Sequence, residues 1–556
     1  MNRASARSPL APVAAPPEDL AAHYRAQGYW IDETFADFVA DRTTRFAGRT
    51  ALVGVDAHGR PHRLTYAALA DAASVASARL GAAGVVPGDR VVLALPNVIE
   101  LVVVVLGCFR MGVVPVFAQP AHREHELSQF CAIADAAAVV VSGDTDGHDQ
   151  LALVERVAAD LRGRGLVPPA VIDVQGWSGS PGPPDTPGGQ VRTSAGAGSV
   201  ALLQLSGGTT GVAKLIPRTH ADYLYSVRAS AEICGLDEES VLLVVLPAAH
   251  NFAMSSPGIL GALHTGGTVV LARDPSPRTS FRLIADERVT LTSLVPPLAQ
   301  AWISSARRRM PDLSSLEVIQ VGGARLSDAV ATEIGPVLGA RVQQVFGMAE
   351  GLVNYTRLDD PDELALTTQG RPISPDDEIR VVDPDSPDEA EVAPGAEGAL
   401  LTRGPYTIRG YYGVETDAFT ADGFYRTGDL VRRLPTGHLV VTGRVKDQIN
   451  RGGEKVATEE IEGPLLAHPE VLDAVALGLP DPYLGERICV VVRTEREERA
   501  GQELARELAD HLRAAGLATY KLPDQFEFLD TFPVTPVGKN SRRELRQLLV
   551  TRLQES

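Results

Sequence analysis

Cysteine is scarce in this chain: four residues among 556, at Cys108, Cys131, Cys234 and Cys489. No two of them stand in a CxxC or Cys/His ligand spacing. That excludes a structural zinc site and fits reduced thiols in a cytosolic protein. Long apolar runs are missing too. The most hydrophobic stretch, "LVVVVLGCFRMGVVPVFA", is broken by Arg110 and Pro115. Its unbroken part falls well short of the roughly 20 residues that span a bilayer, so it predicts a buried helix followed by a strand. The N-terminus, "MNRASARSPLAPVAAPPEDL", lacks a continuous apolar core and makes a poor secretory signal. Positive charge is in deficit, with 52 Lys and Arg against 70 Asp and Glu and a net charge of −18. Nucleic acid and anionic membranes are therefore repelled at long range. A cytoplasmic protein with neither partner is expected, and any phosphate it handles needs a local site.

What is present is an ordinary globular balance, 44% hydrophobic and 22% charged, in a chain too long for one core. Through residues 50–350, Val/Leu-rich runs such as "DRVVLALP", "AAAVVVS", "SVALLQLS", "TVVLA", "VTLTSLVP" and "LEVIQVGG" alternate with Ala-rich segments of helical period. Strands alternating with helices predict an α/β fold of largely parallel, covered sheets. The segment 176–199 is a Gly/Pro/Ser-rich connection. Near residue 380 the character changes. "DEIRVVDPDSPDEAEVAPGAEGALLTRG" predicts two strands joined by an acidic loop, and "GHLVVTGR" another strand. "ATEEIEGPLLAHPEVLDAVALGLP" and "GQELARELADHLRAAG" predict helix, strand and helix in a compact α+β tail. The boundary is expected inside "GRVKDQINRGGEK".

"SGGTTGVAK", Ser206 to Lys214, follows the strand "SVALLQL". Small residues and hydroxyls let backbone N–H groups wrap a phosphate, and the lysine adds a countercharge. A plain strand-to-helix turn is the competing reading. It is not a Walker A loop: two residues separate Gly211 from Lys214, and no Ser or Thr follows that lysine. Further motifs follow in order: "FGMAE" ending in Glu350, "YRTGDL" with Asp429, "GRVKDQI" with Arg444 and "PVTPVGKNSRRELR" with Lys539.

In this order and spacing the motifs resemble the superfamily of acyl-adenylating enzymes, which includes acyl-CoA synthetases and peptide-synthetase adenylation domains. The resemblance implies a large N-terminal domain of mixed and parallel sheets flanked by helices, residues 1–445. A small mobile α+β domain, 446–556, would carry the catalytic lysine. The reaction implied is attack of a carboxylate on the α-phosphorus of ATP, giving an acyl-adenylate and pyrophosphate. Two anions must meet, so catalysis is chiefly charge neutralisation and alignment.

On that resemblance Ser206, Gly207, Gly208, Thr209, Thr210 and Lys214 hold the phosphates. Glu350 binds Mg²⁺. Asp429 takes the ribose hydroxyls, Arg444 also contacts the ribose, and Gly323 and Ala324 make room for adenine. Lys539 is catalytic, Lys446 is the hinge, and Gly452 and Gly453 lie where a pantetheine arm passes. Taken singly, Glu350, Asp429 and Lys539 read more readily as a helix-end charge, a turn residue and a surface lysine. Their joint order reverses that.

Within the superfamily "HNFAMSSPG" (250–258) and "FGMAEGLVNYTRLDDP" resemble the stand-alone aryl-acid ligases of siderophore pathways. The first is expected to be a loop at the mouth of the strand "VLLVVLP". Asn251 would bond the carboxylate and an ortho-hydroxyl, and Phe252 would form an aromatic wall. Val345, Ala349 and Val353 would line the other face, with His250 packing or gating beside the ring. Ser256 would face a 3-hydroxyl, favouring 2,3-dihydroxybenzoate. Salicylate, 3-hydroxypicolinate and 3-hydroxyanthranilate remain open, because Phe252, Ala253 and Met254 replace the Tyr-Pro-Leu of many relatives.

The chain ends soon after Lys539, so the acyl acceptor is expected to be a separate molecule. By resemblance it is the phosphopantetheine thiol of an aryl carrier protein, with Arg542, Arg543 and the "ARRRM" run as candidate contacts. An aryl-CoA ligase and a silent nucleotide-binding scaffold are the alternatives.

Overall fold

The computed structural model describes residues 7–11, 13–145, 147–177, 196–206, 214–451, 454–481, 484–515, 517, 519–535 and 539–555. Among them the strands build two large sheets, a four-stranded antiparallel sheet and a C-terminal sheet. In the nine-stranded sheet Thr50–Val55, Thr268–Leu271, Val241–Val244, Leu291–Leu294, Val318–Gly322 and Arg341–Met348 run parallel as successive neighbours. In the six-stranded sheet Val200–Leu205, Val114–Ala118, Arg90–Ala94, Ala138–Val141 and Ala170–Asp173 do the same. Each quoted Val/Leu run is one of these strands. Their uninterrupted hydrophobicity follows from burial on both faces.

The helix Ile99–Met111 is buried along nearly its whole length and leads into the strand Val114–Ala118. This accounts for the longest apolar run without a membrane. Among the described residues no helix is long and apolar enough to cross one.

Glu378–Val382 and Glu397–Arg403 pair antiparallel, and Tyr425–Arg433 and Leu439–Arg444 complete their sheet. The next strand, Ile449–Arg451, belongs to the C-terminal sheet. There Val471–Asp481 and Gly485–Thr494 form a long antiparallel pair, packed on the helices Thr458–Leu466, Gln502–Ala514 and Arg542–Glu555. The α/β architecture with a small α+β unit at the C-terminus is the one expected.

Two expectations need correction. The 250–258 segment is not a loop: Asn251–Ser255 is a short helix. Its first turn is capped by His250, whose Nδ1 accepts from the Phe252 amide at 3.2 Å. A ring nitrogen at that position satisfies a backbone donor that would otherwise be orphaned. Arg542 is not a free docking contact either. It is locked onto the buried Glu462 by two bonds of 2.7 and 2.9 Å.

Candidate active site

The candidate residues gather where parallel strands end. Val241–Val244 leads to Pro247 and His250, Leu291–Leu294 to Val295, Val318–Gly322 to Gly323, and Arg341–Met348 to Ala349 and Glu350. In open α/β sheets the carboxyl ends of the strands are where ligand crevices form. Val200–Leu205 of the second sheet ends at Ser206 in the same way.

Ser206 and Lys214 close the base of the glycine-rich segment. The Ser206 amide donates to the Lys214 carbonyl at 3.0 Å, and the Lys214 amide to Ser206 Oγ at 3.0 Å. Gly207, Gly208, Thr209 and Thr210 lie outside the described residues. The Lys214 ammonium donates to Thr416 Oγ1 at 3.3 Å and sits 4.6 Å from the Tyr411 ring centre. The Tyr411 hydroxyl donates to Glu350 Oε1 at 3.0 Å and stands 3.1 Å from that of Tyr425. Burial pushes the Glu350 carboxyl above its usual range, opposed by its hydrogen bonds and by Arg444. A nearby cation would hold it ionised.

Asp429 and Arg444 face each other across paired strands and form an ion pair, Arg444 Nε donating to Oδ1 at 2.7 Å. Asp429 is buried and Arg444 half-exposed. The carboxylate raises the Arg444 pKa. Ala324 is exposed beside Gly323. Lys446 is exposed at the turn between Leu439–Arg444 and Ile449–Arg451, where the chain passes from one sheet to the next. Gly452 and Gly453 lie outside the described residues.

Lys539 reaches from the C-terminal unit into this crevice. It shares the lining of a small cleft with Leu246, Pro247, His250, Phe252, Val295 and Gly323. Gly323 has φ +82, a conformation that favours glycine. Burial lowers the Lys539 pKa to about 8, with Arg444 adding to the shift and Asp429 opposing it. Burial and the Lys539 charge bring His250 down to about 4. The imidazole is therefore neutral near pH 7, the form in which Nδ1 can accept from the Phe252 amide.

Phe252 and Val345 meet over Gly322. A Cβ there would stand 3.1 Å from Phe252 Cε1 and 2.8 Å from the Val345 carbonyl oxygen, so only glycine lets ring and strand close together. Val353 is buried on the neighbouring strand Leu352–Tyr355, and the Ala349 carbonyl accepts from buried Arg218 at 2.9 Å. Ser256 is buried near the Tyr355 hydroxyl, which Ser230 also faces. Among the described residues the hydroxyls of Tyr355 and Ser230 lack a well-formed hydrogen bond. Ser255 turns back to the Asn251 carbonyl oxygen at 3.2 Å.

Sequence reasoning passed over Tyr411, Tyr425 and Arg218. Tyr425 stood inside a quoted motif, "YRTGDL". Tyr411, in "RGYYG", carried no chemistry of its own until Glu350 and Lys214 folded against it.

This crevice, with a lysine closing the glycine-rich segment, a buried glutamate, an Asp–Arg pair and a lysine from a second unit, fits an adenylate-forming enzyme. The chain belongs to the AMP-binding enzyme family: residues 39–412 match the AMP-binding enzyme model and 460–539 the AMP-binding enzyme C-terminal domain. Use of ATP comes with that membership. It is 48% identical to the 2,3-dihydroxybenzoate-AMP ligase of Bacillus subtilis over 550 residues, 97% of each chain. To the "salicyl-AMP ligase / salicyl-S-ArCP synthetase" of Mycobacterium tuberculosis it is 44% identical over 96% of this chain and 94% of that one. Among solved structures it resembles apo MbtA of Mycobacterium smegmatis. The TM-score is 0.70 and the identity 42%, over 96% of this chain and 98% of that one.

Proposed function

We propose that the protein activates an ortho-hydroxylated aryl acid, 2,3-dihydroxybenzoate, as its adenylate and passes the acyl group to the phosphopantetheine thiol of a separate aryl carrier protein. The observation that carries this reading is the Lys539 side chain against Gly323, in a cleft shared with His250 and Phe252. An ammonium there stands between an aromatic acid site and a nucleotide site.

In the first half-reaction a carboxylate oxygen forms a bond to the α-phosphorus, and the bond to the β-phosphate oxygen breaks, releasing pyrophosphate. Lys539 offsets the charge gathering between the two anions, and in a water-poor cleft that contribution is large. Lys214 holds the outer phosphates, Asp429 the ribose hydroxyls, and Arg444 orients Asp429. No base is needed, because the acid is already ionised. In the second half-reaction the thiol adds to the acyl carbonyl and AMP leaves.

Glu350 suits a magnesium ion. It offers one buried carboxylate, and among the described residues no three His, Cys, Asp or Glu side chains form a cage. Mg²⁺ takes one or two carboxylates and completes its shell with phosphate and water. Bound there it would neutralise triphosphate charge.

The choice of a dihydroxy acid is supported by Ser256, Tyr355 and Ser230. Among the described residues the Tyr355 and Ser230 hydroxyls beside Ser256 lack a well-formed bond. An unpaired buried hydroxyl costs about 1–3 kcal/mol, and a 3-hydroxyl would supply a partner. The experiment is acid-dependent ATP–pyrophosphate exchange with 2,3-dihydroxybenzoate, salicylate, 3-hydroxypicolinate and 3-hydroxyanthranilate, followed by loading of a pantetheinylated carrier against free coenzyme A. No exchange with any of the four acids would refute the reading. Faster reaction with coenzyme A would replace its second half.

A further inference from the structure

Two buried polar residues without a role above, Gln204 and Tyr223, lead to Asn251 at the start of the helix Asn251–Ser255. Gln204 lies in the strand Val200–Leu205, two residues before Ser206. Its Nε2 donates to the Tyr223 hydroxyl at 3.3 Å, and that hydroxyl donates to Asn251 Oδ1 at 2.8 Å. A phenolic hydroxyl has one proton. Accepting from Gln204, Tyr223 gives its own to Asn251. Burial raises the Tyr223 pKa, so the hydroxyl stays a donor.

The Tyr223 ring is held in turn. The Arg218 guanidinium lies 4.8 Å from its centre, and Arg218 pairs with Asp222 at 2.8 Å while bonding the Ala349 carbonyl. Ser255 Oγ also donates to Asn251 Oδ1, at 3.3 Å. Among the described residues both side-chain hydrogen bonds of Asn251 thus fall on its oxygen. Its neighbours His250 and Phe252 line the cleft that holds Lys539.

We propose that Tyr223 is a positioning residue that turns the oxygen of the Asn251 amide toward the protein and its NH₂ end toward the acid. The site then reads acceptors on the substrate, a carboxylate and an ortho-oxygen, and discriminates against an ortho-amine. The proposal rests on the aryl-acid reading above and narrows its substrate class. An amide without the Tyr223 bond can present either end, and its oxygen would welcome an ortho-amine.

The test is exchange kinetics on the full chain with salicylate and anthranilate, for wild type, Tyr223→Phe, Asn251→Ala and the double variant. Tyr223→Phe is expected to raise KM for salicylate about three- to tenfold and leave KM for ATP alone. It should also lower the salicylate-to-anthranilate ratio of kcat/KM by at least about threefold. In the Asn251→Ala background the same change should move that ratio less than about twofold. A ratio unmoved by Tyr223→Phe, or moved equally with and without Asn251, overturns the proposal. If Tyr223→Phe does not fold, Gln204→Leu takes its place, because the hydroxyl then loses the donor that directs its proton. A lowered ratio supports the proposal and an unmoved one overturns it. If wild type rejects salicylate but exchanges with 2,3-dihydroxybenzoate, that acid replaces salicylate in the ratio. Wild type that exchanges with none of the aryl acids removes the aryl-acid reading and the positioning role together, and exchange with an unmoved ratio removes the positioning role alone.

Discussion

The Lys539 side chain lies over the backbone of Gly323. A Cβ on that glycine would stand 3.2 Å from Lys539 Cε and 3.8 Å from Nζ. The two residues are far apart in sequence and belong to different sheets' surroundings, so their contact reports how the C-terminal unit sits on the crevice. A side chain at Gly323 would push the lysine outward and strain a backbone at φ +82, at a cost of about 1–2 kcal/mol.

Gly323→Ala is therefore expected to slow adenylate formation at least about tenfold. Lys539→Ala should slow it at least about a hundredfold. Transfer from preformed adenylate to the thiol should change much less in both, if the small unit presents another face for that step. Pyrophosphate exchange measures the first half-reaction and single-turnover loading the second. Equal losses in the two would count against a rotating lysine.

The pH profile gives an independent check on the same ammonium. Lys539 must be protonated to offset charge, and burial, then Arg444, lowers its pKa to about 8. The sign follows directly: activity is present below that value and lost as pH rises through it. kcat/KM, which reports the free enzyme, is expected to fall above about pH 8. Bound ATP adds negative charge beside the ammonium, so the limb in kcat should lie higher. A kcat/KM profile flat beyond about pH 9 would show that the ammonium is not required.

Ser256 and Tyr355 bear on the choice between acids. Ser256→Cys and Tyr355→Phe should each lower preference for 2,3-dihydroxybenzoate over salicylate by roughly three- to tenfold. Tyr355→Phe is not expected to destabilise the fold, because the hydroxyl it removes lacks a well-formed bond among the described residues. Competition between the two acids in adenylate formation reads this out. Ratios that stay put in both variants would mean that this polar floor does not meet the ring.

The legible parts of this molecule were those written in local pattern. Valine-rich runs bounded by turns became parallel strands because burial on both faces demands continuous hydrophobicity. Lys539, Glu350, Asp429 and Lys214 could be picked out because their motifs stood in one order; the structure puts Glu350 and Lys214 at strand ends, Asp429 within Tyr425–Arg433 and Lys539 beside Gly323. What was not legible depends on packing. Tyr223 reads as a core aromatic on a helix, and only Gln204 and Asn251, close to it in space, give its hydroxyl a direction. Tyr411 is silent until Glu350 folds beneath it. The helix Asn251–Ser255 escaped notice because five residues show no period, and its cap is a histidine rather than a serine or aspartate.

Arg542 tests the same lesson energetically. In sequence it reads as a basic residue available to a carrier, whereas its guanidinium makes a two-pronged bond to Glu462 and also donates to the Ala476 carbonyl at 2.7 Å. Arg542→Ala leaves that carboxylate buried and alone, so it should destabilise the C-terminal unit by about 3 kcal/mol instead of merely weakening carrier docking. The pH dependence fixes the cause. Burial already raises the Glu462 pKa to about 7 against the pull of Arg542, and losing the arginine raises it further. A carboxyl whose folded pKa exceeds its unfolded one weakens the fold when ionised, so the variant should regain stability as pH falls from above 7 toward the ordinary carboxylate range. Thermal unfolding of both proteins across that interval measures the gain. A variant as stable as wild type at neutral pH, but slow to load the carrier, would return Arg542 to the docking surface.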